Sequence, residues 1–327
     1  MIEIIAAGPL LTVQDAGRPD ARRYGVPPGG AMDTFALVAA NRLVGNLPGA
    51  AVLEATAGGV VLHFSRATLV ALTGANLGAT LDGRPLAAWT AVRAAAGARL
   101  HLPGRRERWG ARAYLAVAGG IAVPPILGSR STSLSGGFGG LDGRCLRAGD
   151  LLPLGTPTYA ATLALGQHWP AQGRPPYQPC PILRLIPGPH LAWFAPERIA
   201  ALAATTLRVG TTSNRMGYRL DGLALPYRRP CSLPSLGVIP GVIQVPPDGA
   251  PILLMADAQT TGGYPVVGVV IGADLPLAAQ LLPGDELRFT FTTLDEALAA
   301  RHAQAEALAQ PLDRDEGDLL SSLAGAW

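Results

Sequence analysis

Short apolar runs rich in β-branched residues recur along the chain: Val60 to Phe64, Ala67 to Leu72, Arg112 to Ala118, Ile182 to Ile186, Thr205 to Val209, Pro251 to Ala256, Val266 to Ile271 and Glu286 to Phe291. Gly, Pro and Asn punctuate them, which is the pattern of short strands joined by turns. The 41 Gly and 30 Pro supply the turns that such folds need. The pattern predicts a mainly β chain with barrel or sandwich architecture and few helices.

Three segments carry a helical period instead. Asp33 caps the stretch Thr34 to Val44, in which Phe35, Val38, Ala39 and Leu43 fall on one face before Gly45-Asn46 ends it. Pro196-Glu197 opens a second helix running through Arg198 to Ala203. A third, Asp295 to Leu308, reads as amphipathic and peripheral and leads into an acidic tail, Asp313 to Asp318.

The stretch Gln167 to Pro181, rich in Pro, Gly and Gln, reads as a linker. It divides the chain into an N-terminal β-barrel domain over 1–166, a C-terminal β-barrel domain over 182–293 and a helical tail over 294–327. Each half ends in a similar turn and strand, Ala148-Gly149-Asp150-Leu151-Leu152 and Pro283-Gly284-Asp285-Glu286-Leu287, which hints at a duplication.

Composition narrows the function. Hydrophobic residues are 49% and charged residues 15% of the 327, enough to build two cores. No apolar run reaches the ~18 residues needed to cross a bilayer, so no membrane span is expected. The start, Met1-Ile2-Glu3-Ile4-Ile5, lacks a secretory pattern, and the reading is a cytoplasmic protein. Three widely spaced cysteines, Cys145, Cys180 and Cys231, offer neither a disulfide framework nor a zinc knuckle. The five histidines show no metal-pair spacing, so no metal is expected. The net charge of +3 comes from arginines scattered among acids, Arg105-Arg106-Glu107-Arg108 and Arg228-Arg229 excepted, and aromatics are only 6%, so no nucleic-acid surface is expected.

One absence decides more than these. All 26 basic side chains are arginine, so the chain holds no P-loop lysine, Schiff-base lysine or biotinylated lysine. ATP or carboxybiotin, if used, must find those handles elsewhere.

Familiar catalytic signatures are missing, and Gly136-Gly137-Phe138-Gly139-Gly140 has the wrong offsets for a dinucleotide fingerprint. Polar residues gather instead in three Gly-rich regions. The first is Gln14-Asp15-Ala16-Gly17-Arg18 followed by Tyr24 to Met32-Asp33, which fits either a pair of turns with a helix cap or a ligand or partner surface made of Gln14, Asp15, Arg18, Met32 and Asp33. The second, Gly128-Ser129-Arg130-Ser131-Thr132, sets three hydroxyls around an arginine; it suits a carboxylate or phosphate, with Ser129 and Arg130 as binding residues, and equally suits a plain hydrogen-bonded turn.

The third region carries the main expectation. The strand Pro251 to Ala256 ends in Asp257-Ala258-Gln259-Thr260-Thr261-Gly262-Gly263-Tyr264-Pro265, which gathers a carboxylate, an amide, two hydroxyls and a phenol at one strand end. Gln244 and Arg215, from nearby predicted turns, join it as contributors.

These same residues resemble a known family. Gln14-Asp15-x-Gly17-Arg18, Gly25-Val26-Pro27 to Met32-Asp33, Gly128 to Thr132, Arg215-Met216-Gly217-Tyr218-Arg219-Leu220 and Ile243-Gln244-Val245-Pro246-Pro247 through Tyr264-Pro265 are similar, in order, to the biotin-dependent carboxyltransferase family. That family includes the C subunit of bacterial 5-oxoprolinase, the KipI antagonist and the C-terminal half of the carboxyltransferase domain of urea amidolyase.

The resemblance implies two cyclophilin-like β-barrel domains, partnership with a KipI-like B subunit and with the A subunit of the oxoprolinase, and ATP-dependent opening of the 5-oxoproline lactam to glutamate. It assigns Asp257, Gln259, Thr260 and Thr261 to catalysis and Arg215, Gln244 and Tyr264 to substrate. Two other readings stay open: a non-catalytic antagonist of a kinase inhibitor, and a carboxyltransferase half that takes carboxybiotin from a separate carrier and acts on urea or a related amide. The chain departs from the family pattern at Leu236 and Val266, where relatives often carry charge.

Overall fold

The computed structural model describes residues 1–228 and 233–314. Cys231, Arg229 and residues 315–318 of the acidic tail lie outside the described residues. The chain is mainly β, as its alternation predicts, and forms two β units. Strands occupy Val60–Phe64, Arg112–Val117, Ile182–Pro187, Val266–Val270 and Glu286–Phe291, close to the expected bounds. The run expected from Thr205 begins only at Leu207–Val209, because the Thr205 N–H closes the helix Pro196–Ala204 on the Ala201 carbonyl. Among the described residues no helix is long and apolar enough to cross a membrane.

The units interleave in sequence. The first comprises Met1–Gly17, Asp33–Pro175 and the chain from Ala307 onward; the second comprises Arg18–Met32 and Pro176–Glu306. The division into 1–166, 167–181, 182–293 and 294–327 therefore differs from the structure, above all at two places. Residues 18–32 leave the N-terminal half, with Met32 entering the second unit's core. The expected linker is packed structure up to Pro175: Trp169 is fully buried, donates Nε1–H to the Gly173 carbonyl at 3.2 Å and meets Phe35 edge-on at 5.7 Å. One buried indole outweighs the turn-forming composition around it. The helix Leu294–Ala309 is peripheral as expected, yet none of its side chains is buried, so its spacing of apolar residues marks no core face.

In the first unit two sheets enclose one core. One sheet runs in the order Leu151–Leu152, Ile2–Ala7, Val60–Phe64, Arg99–Leu102, Thr80–Leu81 and Arg84–Pro85; the other runs Leu10–Gln14, Val52–Thr56, Arg112–Val117, Thr68–Gly74 and Ala91–Ala94. Ile4, Leu62, Leu100, Leu53, Leu72 and Leu115 fill the space between them. Register places Thr12, Glu54, Tyr114 and Thr73 side by side across four strands of the second sheet, all fully buried. The helix Thr34–Leu43 meets this polar row: Thr73 donates to the Ala36 carbonyl at 2.7 Å and the Asp33 N–H donates to Tyr114 Oη at 2.8 Å. Burial, then the nearby Glu54 and Asp33 carboxylates, push the Tyr114 phenol well above its ordinary pKa.

The second unit is a closed seven-strand barrel in the order Ile182–Pro187, Val266–Val270, Val242–Gln244, Ile252–Leu254, Gly217–Asp221, Leu207–Val209 and Glu286–Phe291. It closes through parallel pairing of Leu183 with Phe289, and closure leaves no open edge in the ring. Leu183, Leu185, Tyr218, Leu253, Val267 and Phe289 form its core.

The two Gly-Asp turns are built alike. Gly149 and Gly284 both hold positive φ, 88° and 93°, and give their N–H to the Ile4 and Val209 carbonyls. Asp150 and Asp285 each accept, through the side chain, the N–H of the residue three back, Arg147 at 2.9 Å and Leu282 at 2.8 Å. The shared construction supports the duplication that the sequence hints at.

Candidate functional site

The three polar regions meet different fates. In the first unit, Asp15 lies at the end of Leu10–Gln14 and is 7% exposed. Its Oδ1 accepts from the Ser129 hydroxyl at 2.6 Å, the Ser131 hydroxyl at 2.5 Å and the Gly17 N–H at 2.8 Å, and its Oδ2 accepts from the Arg130 N–H at 2.5 Å. The Gly128–Thr132 loop is an anion cradle, as its hydroxyls predict, but the anion it holds is this chain's own Asp15. The Arg130 guanidinium turns away and donates Nε–H to the Val123 carbonyl at 2.8 Å. Ser129 and Arg130 are therefore ties within the first unit.

The expected ligand or partner surface is not exposed. Gln14 and Asp33 are fully buried, and Arg18 at 2% and Met32 at 4% are nearly so. Asp33 is the N-cap of Thr34–Leu43, its Oδ1 accepting from the Ala36 N–H at 2.9 Å. Gln14 donates Nε2–H to the Thr12 hydroxyl at 3.0 Å and to the Thr132 carbonyl at 3.3 Å.

In the second unit the strand-end loop splits into a buried foundation and an exposed tip. Arg215 and Asp257, expected at the substrate, form the foundation. They are 3% and 5% exposed, with Arg215 Nε to Asp257 Oδ2 at 2.9 Å and Nη2 to Oδ1 at 3.0 Å. Arg215 Nη2 also donates to the Gly30 carbonyl at 2.6 Å, and the Gly29 N–H reaches the Ala256 carbonyl at 3.1 Å, so the Arg18–Met32 excursion is stitched to the end of the strand. The fork of the guanidinium matches a carboxylate in both directions, which fixes the loop and commits both of Asp257's oxygens. Asp257 therefore holds structure and presents little of itself to solvent.

Gln244 forms the next layer. It is 1% exposed, donates Nε2–H to the Tyr264 carbonyl at 3.3 Å and accepts from Gln259 Nε2 at 3.2 Å. Gly262 lies over this amide; a Cβ there would come within 2.6 Å of Gln244 Nε2. The two-residue strand Thr261–Gly262 pairs antiparallel with Leu236–Gly237, extended by Val238 N–H to the Thr260 carbonyl at 3.0 Å. Beyond Pro265 the chain re-enters the barrel, where the Val266 N–H donates to His190 Nδ1 at 3.1 Å.

The tip is open. Gln259 and Thr260 are half-buried, and Thr261 and Tyr264 are exposed. Gln259 Oε1, both threonine hydroxyls and the Tyr264 phenol make no hydrogen bond among the described residues. Four uncommitted polar groups thus stand on a ribbon whose backbone is fixed from below. Exposed Leu236, Ile239 and Met216 accompany them in the second unit. Two surface cavities of the first unit, about 120 Å³ beside Asn76 and Arg106 and about 240 Å³ beside Arg66 and Pro157, include none of the expected site residues.

The departures from the family pattern fall on opposite sides of this arrangement. Leu236 is 40% exposed and directly opposite Gly262, whereas Val266 is buried in the barrel wall. Sequence reading missed Arg22 and His190 as neighbours of the loop. Arg22 sits on the short 3-10 helix Pro19–Tyr24, which Pro19 and the left-handed Gly25 delimit, and donates Nη2–H to the Val238 carbonyl at 2.5 Å. Pro19 and Gly25 could have located the turn; nothing local tells that Arg22 meets residue 238.

Comparison with known proteins matches this arrangement to one family. The family described as carboxyltransferase domain, subdomain A and B, matches residues 24–291. The C subunit of the Escherichia coli 5-oxoprolinase is 43% identical over 304 residues, which is 93% of this chain and 95% of that protein. Its namesake from Haemophilus influenzae is 36% identical over 301 residues, 92% of this chain and 94% of its own length. Among solved structures, the urea amidolyase of K. lactis superposes with a TM-score of 0.86 at 30% identity over 94% of this chain, which accounts for 20% of that larger protein. The chain belongs to the carboxyltransferase domain, subdomain A and B, family.

Proposed function

We propose that the chain is the C subunit of an ATP-dependent 5-oxoprolinase, an amide hydrolase that opens the 5-oxoproline lactam to glutamate. It would work in the cytoplasm with a KipI-like B subunit and with the A subunit of the same enzyme. Two relatives named for the C subunit, matched over nearly their whole length, support the reading. The observation that carries it is the ribbon Gln259 to Tyr264, where four uncommitted polar groups are held on a backbone braced by Gln244 and by the Arg215–Asp257 pair.

A lactam presents one N–H donor and one carbonyl acceptor. Gln259 gives its Nε2–H to Gln244, so its Oε1 remains to accept from the ring N–H. The Thr260 and Thr261 hydroxyls remain to donate to the oxygens of the tetrahedral centre, where negative charge gathers as water adds to the carbon and before the ring C–N bond breaks. Bracing from below preorganises these groups, which raises their value in a transition state. The ribbon is exposed, so a second protein is needed to exclude water, in keeping with a complex-dependent activity.

ATP would supply the phosphoryl group that activates the lactam oxygen, so that water adds to the carbon, the ring nitrogen leaves first, and phosphate departs only when a second water hydrolyses the opened product. This chain's residues do not fit its phosphates: there is no lysine, and the hydroxyl-rich cradle at Ser129 to Thr132 is filled by Asp15. ATP is therefore assigned to the other subunits. The alternative, a carboxyltransferase half that receives carboxybiotin, draws on the likeness to urea amidolyase.

Reconstitution with the other subunits tests the proposal. Glutamate release coupled to 5-oxoproline-dependent ATP consumption should fall sharply for Gln259→Ala with the complex intact. Unchanged release in that variant, or avidin-sensitive turnover of urea in place of lactam opening, would overturn it.

A further inference from the structure

An amide-opening site must also recognise the rest of its substrate, and 5-oxoproline carries a carboxylate on the carbon next to its ring nitrogen. A carboxylate calls for a guanidinium with donors to give. Of two other arginines of the second unit, Arg215 gives Nε and Nη2 to Asp257 and is 3% exposed, and Arg18 is 2% exposed. Neither offers a face to a solute.

Arg22 differs. It is half-buried, and its guanidinium donates Nη2–H to the Val238 carbonyl at 2.5 Å. A guanidinium has five N–H donors, and no acid among the described residues pairs with this one. Its Nε is buried without an acceptor, so the donors left for an incoming anion are those on the two Nη nitrogens not given to Val238. Its position is fixed relative to the ribbon: Val238, 2% exposed, accepts from Arg22 through its carbonyl and donates its N–H to the Thr260 carbonyl at 3.0 Å. One buried residue thus links the cation to the ribbon that begins with Gln259, Thr260 and Thr261.

We infer that Arg22 receives the substrate's carboxylate and so selects an anionic lactam over a neutral amide such as urea. The inference rests on the proposed lactam-opening function and adds a specificity-determining residue to it. The ring amide is met by the ribbon and the carboxylate by Arg22, and a neutral amide gains nothing from the second contact.

The test uses the reconstituted complex. Arg22→Gln should raise KM for 5-oxoproline about 10- to 100-fold, the scale of losing a charge-assisted contact, with kcat changed far less. Arg22→Lys should keep part of the affinity, and added guanidinium ion should partly restore Arg22→Ala. 2-Pyrrolidinone, the same ring without the carboxylate, should affect wild type and Arg22→Gln alike when added as a competitor. An unchanged KM, or a fall in kcat with no rescue by lysine or guanidinium, would make Arg22 a mere strut for Val238 and overturn the inference alone. A wild-type complex that shows no 5-oxoproline-dependent ATP consumption overturns the proposed function, and the inference with it.

Discussion

Asp15 of the first unit and Asp257 of the second are alike in the sequence, each an acid in a polar turn just after a strand, and the protein buries both. Their counter-groups differ. Among the described residues Asp15 is held by neutral donors, two hydroxyls and two backbone N–H groups drawn from two loops. Asp257 is held by one guanidinium in a bidentate pair. The first arrangement spreads its stabilisation over many small contacts, and the second concentrates it in one. The chain beyond each acid reaches the surface in both cases, at Ala16, Pro19 and Asp20 after Asp15 and at Thr261, Gly263 and Tyr264 after Asp257.

The largest effect should come from breaking the concentrated arrangement. Arg215→Ala strands the Asp257 carboxylate in a buried position and removes the donor to Gly30, which should cost about 3–5 kcal/mol in denaturant unfolding. Replacing both partners, Arg215→Met with Asp257→Leu, should cost much less than the sum of the single changes. Additive losses in that cycle would mean the two groups are not coupled as their geometry requires.

The distributed arrangement should yield more gently. Asp15→Asn turns one acceptor into a donor facing donors, for about 1–3 kcal/mol, while Ser129→Ala leaves three of the four contacts in place and should cost about 1 kcal/mol. If Ser129→Ala matched Arg215→Ala in a thermal melt, the contrast between the two acids would fail.

Gly262→Ala probes the layer between foundation and tip. Its Cβ would press on Gln244, whose amide is the buried brace of Tyr264 and Gln259, at a cost of about 1–3 kcal/mol. Activity of the complex should fall further than stability does, because the brace sets where Gln259 stands.

The contrast between the two acids also explains how far the sequence can be read. Alternation locates the barrel strands Val266–Val270 and Glu286–Phe291, and residue type locates the cap at Asp33, since these depend on neighbours in the chain. Residue chemistry finds the right polar loops, and even the anion cradle at Ser129 to Thr132. It does not tell that the anion lies 114 residues away in the same chain, since hydroxyls and carboxylate are matched by long-range packing. The buried row of Thr12, Glu54, Tyr114 and Thr73 is hidden for a related reason: each residue looks ordinary in its own strand, and only register aligns them. The excursion of Arg18–Met32 into the second unit has no local mark, so nothing near Arg22 in the chain sets it apart from Arg18 or Arg23.

The smallest effect on stability is expected at Thr261, and it separates the two regions most cleanly. Its side chain is exposed and makes no hydrogen bond among the described residues, so Thr261→Val removes a hydroxyl while keeping the β-branched shape that suits a strand. Unfolding should shift by no more than about 0.5 kcal/mol, as for surface positions generally. In the assembled enzyme, loss of one donor to a developing oxyanion should lower kcat by about 10- to 100-fold or more. The buried hydroxyls around Asp15 should respond in the opposite way: Ser131→Ala, which removes a donor from Asp15 at 2.5 Å, should weaken folding and leave kcat of the folded enzyme nearly unchanged. Measuring stability and kcat on this pair of hydroxyl deletions asks of each loop which one it serves, and a Thr261→Val enzyme with normal kcat would leave the exposed ribbon as ornament to the fold.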